Sequence, residues 1–261
     1  MTRLPVSPNR DFGQHFLVDE NILGVIGRLA ELGPADVVLE IGPGLGVLTT
    51  FLADRVARVH AVELDRGLES HLRERLAGRG NVDLILGDAL RLDLAAIAPD
   101  ANKLVANLPY SIATPLIVEG LEGLPNVEHW TVMVQREVAD RLFAEPGTKA
   151  YGAVSVLVQL GAERTGVHPV SRTVFRPQPN VDSALVAFRR TPLPPDFASV
   201  KRMVEGAFAH RRKTLPNSLE LAGVAARDDA AAALEAIGRP AGVRAEALAP
   251  AEFVGLAETL V

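Results

Sequence analysis

The sequence predicts an α/β fold: a doubly wound, mostly parallel seven-stranded sheet followed by a small all-helical domain. Short apolar runs alternate with helical segments as far as residue 135, which is the pattern of right-handed βαβ units. A glycine-rich turn directly follows the first of these runs. A proline-rich segment, 191–196, then precedes a tail in which every predicted element is helical. We therefore predict two domains, residues 1–191 and residues 192–261.

The first apolar run, Val37–Ile41, is near-continuous rather than alternating, as expected for a parallel strand that is buried on both faces. No helix fits between the last two runs, so we expect them to complete the sheet as an antiparallel, hairpin-like pair. The predicted strands are Val37–Ile41, Val59–Val62, Val82–Leu86, Lys103–Ala106, Trp130–Val134, Glu163–Pro169 and Val181–Arg189.

Helical periodicity, capping residues and helix-ending glycines and prolines predict the helices. In the first of them, Asn21 is expected to cap the start and Gly33-Pro34 to end the helix. The predicted helices are 21–32, a segment containing Leu48, Phe51 and Leu52, then 66–77, 115–121, 136–143, 154–160, 197–210, 215–222, 228–237 and 251–260.

The composition limits the available chemistry. The 261 residues include no cysteine, which excludes disulfides, thiolate metal sites and cysteine nucleophiles. The six histidines show no paired metal-ligand spacing, so we expect no metal site. No apolar stretch reaches the roughly 18 residues of a membrane-spanning helix, and no signal-peptide pattern is visible, so we expect a cytoplasmic protein.

Charge is distributed unevenly along the chain. The formal net charge is −5, yet the segment from Arg164 to Asn217 has ten Lys or Arg against three acidic residues, a local net charge of +7. A protein that binds a polyanion needs only a basic face, not a basic total. Solvated surface charge explains the same residues equally well.

The glycine-rich turn is Gly42-Pro43-Gly44-Leu45-Gly46, preceded by Glu40. A dinucleotide fingerprint requires G-x-G-x-x-G, and here the third glycine comes one position early. The pattern G-x-G-x-G after an acidic residue is typical instead of S-adenosylmethionine (SAM) methyltransferases. Glycines at this point allow a sharp turn and a close approach of a ligand to the backbone.

Three further polar residues end the next three predicted strands. Glu63 can accept hydrogen bonds from both ribose hydroxyls, and Asp88 can accept one from an adenine amino group. Asn107 begins the segment Asn107-Leu108-Pro109-Tyr110, which offers amide and carbonyl acceptors together with a flat ring. Taken alone this tetrapeptide is also a plain strand-to-helix turn, but as the fourth strand end in succession it indicates a ligand site.

Five ordered segments resemble the ribosomal RNA adenine N6-dimethyltransferases, and specifically the small-subunit type. The resemblance covers nearly the whole chain. The segments are Gly13–Leu17, Glu40–Gly46, Asn107–Tyr110, Phe175–Ala184 and Arg212–Leu219.

This resemblance implies a class I, Rossmann-like methyltransferase that transfers methyl groups from SAM to N6 of two adjacent adenosines near the 3′ end of small-subunit RNA. Its catalytic segment would be Asn107, Leu108, Pro109 and Tyr110, with Phe175 stacked on the target adenine opposite Tyr110. Position 15 is commonly Asn in this family and is His here. The cofactor contacts implied by the resemblance are His15, Leu17, Gly42, Gly44, Glu63, Asp88 and Asn107.

We expect the immature small subunit or its RNA to be the partner, bound by a monomer through basic residues on either side of the linker. Three alternatives remain: a large-subunit rRNA adenine methyltransferase that confers antibiotic resistance, a DNA adenine methyltransferase, and a non-catalytic RNA-binding assembly factor. Leu108 disfavours the DNA enzyme, which more usually has proline there. The expected RNA-binding residues are Arg189, Arg190, Lys201, Arg202, Arg211, Arg212 and Lys213.

Overall fold

The computed structural model describes residues 5–6, 8–9 and 14–260. The chain forms two compact units. The first contains the chain up to Ala139 together with Glu163–Arg190, and the second contains Asp140–Ala162 together with the chain from Thr191 onward. No helix in the described ranges is long and apolar enough to cross a membrane.

A seven-stranded sheet dominates the first unit, in the order β4 (Val82–Leu86), β3 (Arg58–Glu63), β2 (Val37–Ile41), β5 (Lys103–Asn107), β6 (His129–Gln135), β9 (Ser183–Arg190) and β7 (Ala162–Val170). The neighbours from β4 to β6 pair in parallel, and β9 pairs with β6 antiparallel. The doubly wound, mostly parallel sheet predicted from the sequence is thus confirmed, and the predicted last two strands are neighbours at its edge.

Two short strands form a separate two-stranded sheet that the sequence did not predict. In it β1, Phe16–Leu17, pairs antiparallel with β8, Phe175–Arg176. The helices of the first unit are α1 Asn21–Leu29, α2 Val47–Ala53, α3 Glu69–Arg75, α4 Leu94–Ile97 and α5 Ala113–Gly123, and α6, Arg136–Leu142, spans the division between the two units.

The first helix is shorter than predicted, and its end is set by a distant lysine. The expected helix extended to Leu32, whereas α1 ends at Leu29. The buried Lys103 ammonium donates to the carbonyl oxygens of Ala30 and Glu31. Glu31 takes a positive φ of 49°. Asn21 is the first helical residue rather than the cap. A tertiary contact therefore ends the helix before Gly33-Pro34 does.

The second unit is helical, and it includes α7, Ala153–Gly161, as well as the predicted C-terminal helices. One stretch of this unit begins at Thr191, within the proline-rich segment, and the other, residues 140–162, lies inside the predicted domain 1–191. Residues 140–162 join the later helices because the buried Tyr151 hydroxyl donates to the Leu248 carbonyl at 2.7 Å. In addition, α7 packs on α8, Phe197–Ala209, and on α11, Pro250–Leu260. The helices are α7 Ala153–Gly161, α8 Phe197–Ala209, α9 Leu215–Leu221, α10 Arg227–Ala236 and α11 Pro250–Leu260.

Candidate active site

A cavity lies at the carboxyl ends of β2, β3, β4 and β5, where open α/β sheets bind ligands. Each strand delivers a polar side chain or a glycine to the cavity, because parallel strands end at one edge of the sheet. Strand β1 adds a further wall. The sequence-predicted residues that line the cavity are His15, Leu17, Gly42, Gly44, Glu63, Asp88, Asn107, Leu108, Pro109 and Tyr110. Gly13, from the first quoted segment, lies outside the described residues.

The glycine turn requires glycine at three positions. Gly42, Gly44 and Gly46 have φ values of 74°, 58° and 73°, a region that side-chain-bearing residues rarely adopt. A Cβ atom on Gly42 would lie 3.3 Å from Pro109 Cδ, and one on Gly44 would lie 3.1 Å from Phe16 Cδ1. The turn is therefore packed closely between the Asn107–Tyr110 segment and β1.

Glu63 is held in place by backbone amides and by a network that includes Gln14. Its carboxylate accepts from Gly44 N at 3.0 Å and from Asp65 N at 2.9 Å. The Asp65 carboxylate in turn accepts from Gln14 Nε2 at 2.8 Å. Burial raises the pKa of Glu63, and the backbone hydrogen bonds oppose that shift. These contacts orient an acceptor that is suited to a ribose diol.

Glu40 is the most deeply buried acid of the cavity, and its role was not predicted although it begins the quoted glycine segment. It is 1% exposed, and its Oε2 has no hydrogen-bond partner among the described residues. Burial, to which the Glu63 charge adds, raises the pKa of Glu40 to about 8, against the opposing effect of the Thr49 hydroxyl. An unpaired buried acceptor of this kind suits a ligand that brings hydrogen-bond donors or positive charge.

The Glu40 carboxyl should make the stability of the unliganded protein depend on pH. Its pKa is about 8 in the folded protein, well above the roughly 4.3 of an unfolded glutamate. The folded state therefore holds the extra proton between these two pKa values, and the free energy of unfolding falls as pH rises, by at most about 1.4 kcal/mol per pH unit.

Chemical denaturation between pH 5.5 and pH 8.5 measures this decline in the free energy of unfolding, which should be smaller for Glu40→Gln than for the wild type. The exposed Glu122→Gln serves as control, and equal declines in wild type and Glu40→Gln would contradict the assignment.

Asp88 and Leu64 form the part of the cavity suited to an adenine. Asp88 follows β4, and its Oδ1 accepts from Leu90 N at 3.0 Å, which orients the carboxylate. Leu64 follows Glu63, lines the cavity and is 48% exposed. The adenine ring of a ligand could pack against the Leu64 side chain and donate a hydrogen bond to the Asp88 carboxylate.

The Asn107–Tyr110 segment leaves β5 with its backbone held by the sheet. Leu108 N donates to Met133 O at 3.1 Å, and the Leu108 side chain is 1% exposed. The Pro109 carbonyl already accepts from Ile112 N at 3.1 Å. Of the Leu108 and Pro109 carbonyls, that of Leu108 is therefore the better acceptor for a ligand.

Two contacts orient the polar groups around Asn107. Asn107 Nδ2 donates to the His15 carbonyl at 3.5 Å, which leaves the Asn107 Oδ1 to serve as an acceptor. His15 Nδ1 lies 2.7 Å from the Pro177 carbonyl, so Nδ1 must carry the hydrogen. The His15 ring centroid is 5.8 Å from that of Tyr110, with a tilt of 32°. His15 therefore links the cavity to the segment after β8.

Phe175 does not take the predicted position in the cavity. It pairs with Leu17 across the β1–β8 ladder, and its side chain is 2% exposed within a core cluster that includes Val170 and Val174. A ring buried in this way cannot stack on an adenine opposite Tyr110 in this conformation. The expectation for Phe175 is corrected because the pairing of two short strands turns it into the core.

The predicted RNA-binding residues fall into two groups. In the first unit, Arg189 forms an exposed ion pair with Glu31, and Arg190 donates to the Leu124 carbonyl. In the second unit, Arg211 donates to the Tyr151 carbonyl, which gives it a structural contact. Also in the second unit, Lys201 is partly buried, whereas Arg202, Arg211, Arg212 and Lys213 are exposed. No group of three or more His, Asp or Glu within the described ranges is arranged to hold a metal.

The chemistry of the lining fits SAM, which has a sulfonium, an amino group, a ribose diol and an adenine. Glu40, Glu63 and Asp88 supply acceptors, and Gly42 and Gly44 expose backbone at a close approach. This arrangement is that of a class I SAM-dependent methyltransferase, the class to which both the sheet and the cavity assign the chain.

Comparison with known proteins gives the family. The family model described as ribosomal RNA adenine dimethylase matches residues 6–258. Ribosomal RNA small subunit methyltransferase A of Rubrobacter xylanophilus is 47% identical over 250 residues, covering 95% of this chain and 94% of that protein. The Thermobifida fusca protein of the same name is 43% identical, covering 98% and 91%. The chain belongs to the ribosomal RNA adenine dimethylase family and is a SAM-dependent methyltransferase.

Solved structures agree with this assignment. A dimethyladenosine transferase from Plasmodium falciparum has a TM-score of 0.78 at 25% identity, covering 93% of this chain and 96% of that chain. The 23S rRNA methyltransferase ErmE has a TM-score of 0.66 at 31% identity, covering 94% and 99%. Both similarities cover sheet and C-terminal helices alike.

Proposed function

We propose that this protein uses SAM to dimethylate N6 of two adjacent adenosines near the 3′ end of small-subunit ribosomal RNA during ribosome biogenesis. The observation that carries the proposal is the position of Asn107–Tyr110 on the wall of the acid-lined cavity. The hydrogen-bond acceptors for the amino group of the target adenine thus line the same cavity as the acceptors for the cofactor.

Adenine N6 is a weak nucleophile because its lone pair is delocalised into the ring. In the first transfer, hydrogen bonds from its two protons to Asn107 Oδ1 and the Leu108 carbonyl would favour the pyramidal form and aim the lone pair. In the second transfer, N6-methyladenine has one proton left to donate to these acceptors, and after each transfer one N6 proton passes to solvent. The bound cofactor supplies an electrophilic methyl group. Positioning of this kind, rather than a strong base, is what an in-line transfer needs. Burial raises the pKa of the Tyr110 hydroxyl, which keeps it neutral and unsuited to act as a base.

Residues from several strand ends would hold the cofactor. Glu63 would accept from the ribose hydroxyls and Asp88 from the adenine amino group. The remaining contacts would come from His15, Leu17, Gly42, Gly44 and Asn107, all of which line the cavity. Tyr110 would stack on the target base, which must leave its own stack to reach the cavity.

The small-subunit substrate is favoured over the large-subunit alternative by the named relatives. The small-subunit methyltransferases described above are 43% and 47% identical to this chain, whereas the 23S rRNA enzyme ErmE is 31% identical. A non-catalytic assembly factor would not need a glycine turn and oriented acceptors around Asn107, although binding without turnover would use the same RNA surface.

The decisive experiment offers the protein several nucleic acids. Purified protein and labelled SAM are incubated with immature small subunits, large-subunit RNA and duplex DNA, and modified bases are mapped by mass spectrometry. We expect N6,N6-dimethyladenosine at two adjacent positions in small-subunit RNA. Label confined to large-subunit RNA or DNA would overturn the proposed substrate, and RNA binding without label would favour the assembly factor.

We further propose that the protein acts as a monomer in the cytoplasm on the immature subunit, with the second unit as its RNA-recognition domain. Exposed Arg202, Arg212 and Lys213 in that unit support this role, since phosphate contacts dominate the affinity of RNA-binding proteins. A helical module suits RNA of compact shape, which is read largely through its backbone.

Replacing Arg212 and Lys213 with alanine should weaken RNA binding and flatten its salt dependence. Each lost phosphate contact should reduce the slope of log affinity against log salt by about 1. Filter binding or fluorescence anisotropy at several salt concentrations measures this slope. Arg227→Ala, an exposed arginine of the same unit, is the control. An unchanged slope in the double variant would mean that Arg212 and Lys213 do not contact RNA phosphates.

A further inference from the structure

The Tyr110 hydroxyl has a specific buried partner, Ser183. The Tyr110 hydroxyl oxygen lies 2.9 Å from Ser183 Oγ, and Ser183 is fully buried at the start of β9. We propose that Ser183 is a positioning residue that fixes the plane of the Tyr110 ring for the target base. This inference rests on the proposed function, in which Tyr110 stacks on the adenine.

The register of the sheet explains why these two residues meet. Asn107 of β5 lies opposite Met133 of β6, and Met133 lies opposite Leu185 of β9. Ser183 is two residues from Leu185 along β9 and lies opposite Gln135, the last residue of β6. It therefore reaches the edge of the sheet at which the chain leaves β5 and continues to Tyr110.

Ser183 is a rigid anchor because the chain on both sides of it is held. After it, β9 pairs with β6 along its length. Before it, the Asp182 carbonyl accepts from Arg136 N at 3.0 Å, and Asp182 Oδ1 accepts from Arg172 N at 3.1 Å. A serine side chain has a single torsion to its oxygen, so a fixed backbone leaves Oγ few positions.

Fixing the hydroxyl end of a tyrosine fixes its ring. Tyr110 is partly buried, and its ring can turn about two side-chain torsions unless both ends are held. The ring that was expected to face it, Phe175, is buried in the core. Base stacking depends on the orientation of the aromatic face, so the orientation of Tyr110 decides how well the base is presented.

The competing explanation is that the hydrogen bond only satisfies a buried serine. A structural bond would affect folding stability without affecting turnover of the folded protein. A positioning bond would affect turnover through the Tyr110 hydroxyl, so removing Ser183 should matter only while that hydroxyl is present. A double-mutant cycle separates the two explanations.

The cycle compares wild type, Ser183→Ala, Tyr110→Phe and the double variant, with kcat and the SAM dissociation constant measured for each. We expect Ser183→Ala to lower kcat about tenfold, with SAM affinity within about twofold of wild type. The double variant should be no slower than the slower single variant. Ser155→Ala, which removes a buried serine bonded to the Arg141 carbonyl in the second unit, is the control. Unchanged turnover in Ser183→Ala, or fully multiplicative losses in the double variant, would overturn the proposal.

A second measurement does not depend on catalysis. The chain has only two tyrosines, so ring-labelled tyrosine gives a simple NMR spectrum in which Tyr151 serves as an internal reference. In Ser183→Ala the Tyr110 ring signals should shift and show faster ring motion, while those of Tyr151 stay unchanged. Unaltered Tyr110 signals would refute the anchoring role of Ser183. A wild-type protein that methylates none of the tested RNAs would instead refute the proposed function, whatever the NMR result.

Discussion

Replacing Asn107 with alanine is expected to lower kcat for methyl transfer by about 10²–10³-fold, the effect typical of losing one preorganised hydrogen-bonding group in an active site. Asn107 Nδ2 is held by the His15 carbonyl, so Oδ1 is oriented before the substrate arrives. Alanine removes the acceptor that would aim the N6 lone pair, and binding of RNA should remain nearly intact. Single-turnover methylation and a binding titration measure the two effects separately.

The control for this prediction is Asn126→Ala. Asn126 is an exposed asparagine of the same unit whose Nδ2 bonds the Pro99 carbonyl. It should retain wild-type turnover. If Asn107→Ala also kept wild-type turnover, the cavity would not be the site of transfer.

Replacing Lys103 with alanine is expected to destabilise the first unit by about 3 kcal/mol, because breaking a buried ion pair leaves its partner uncompensated. Lys103 is 5% exposed, and its ammonium lies 2.9 Å from Asp36 Oδ2. The change also removes the donor to the Ala30 carbonyl, at 2.8 Å, at the end of α1. Chemical denaturation followed by fluorescence of Trp130, the single tryptophan, reports on this unit.

The exposed Lys149→Ala is the matched control and should change the unfolding free energy by less than about 0.5 kcal/mol. If Lys103→Ala also lowered the unfolding free energy by less than about 0.5 kcal/mol, the buried ammonium would not stabilise the end of α1 or the Asp36 carboxylate.

Much of the cavity could be predicted because it depends on local order along the chain. Glu63, Asp88 and Asn107 follow apolar runs, and parallel strands bring their carboxyl ends to one edge of the sheet. The alternation of strands and helices also predicted the order of elements in the first unit. These inferences need no information about contacts between distant residues.

The features that the sequence did not predict depend on contacts between residues that are far apart in the chain. Phe175 is turned into the core by pairing with Leu17, and no local pattern in either short strand predicts that pair. Residues 140–162 read as a continuation of the sheet domain, but the Tyr151 hydroxyl and α7 pack with the later helices. Glu40 and Ser183 both lay within quoted segments, yet their roles depend on burial, which only the folded chain shows.

The pairing of β1 with β8 has a consequence for synthesis of the protein. Phe16 and Leu17 border the cavity, but their strand partners are Arg176 and Phe175, which leave the ribosome long afterwards. The glycine turn and the acids of β3 and β4 can form while most of the chain is still unmade. The wall of the cavity formed by β1 must wait for a partner about 160 residues away, and contacts of such separation form slowly. A nascent chain that ends before β8 would lack the strand that pairs with β1 at this wall of the cavity.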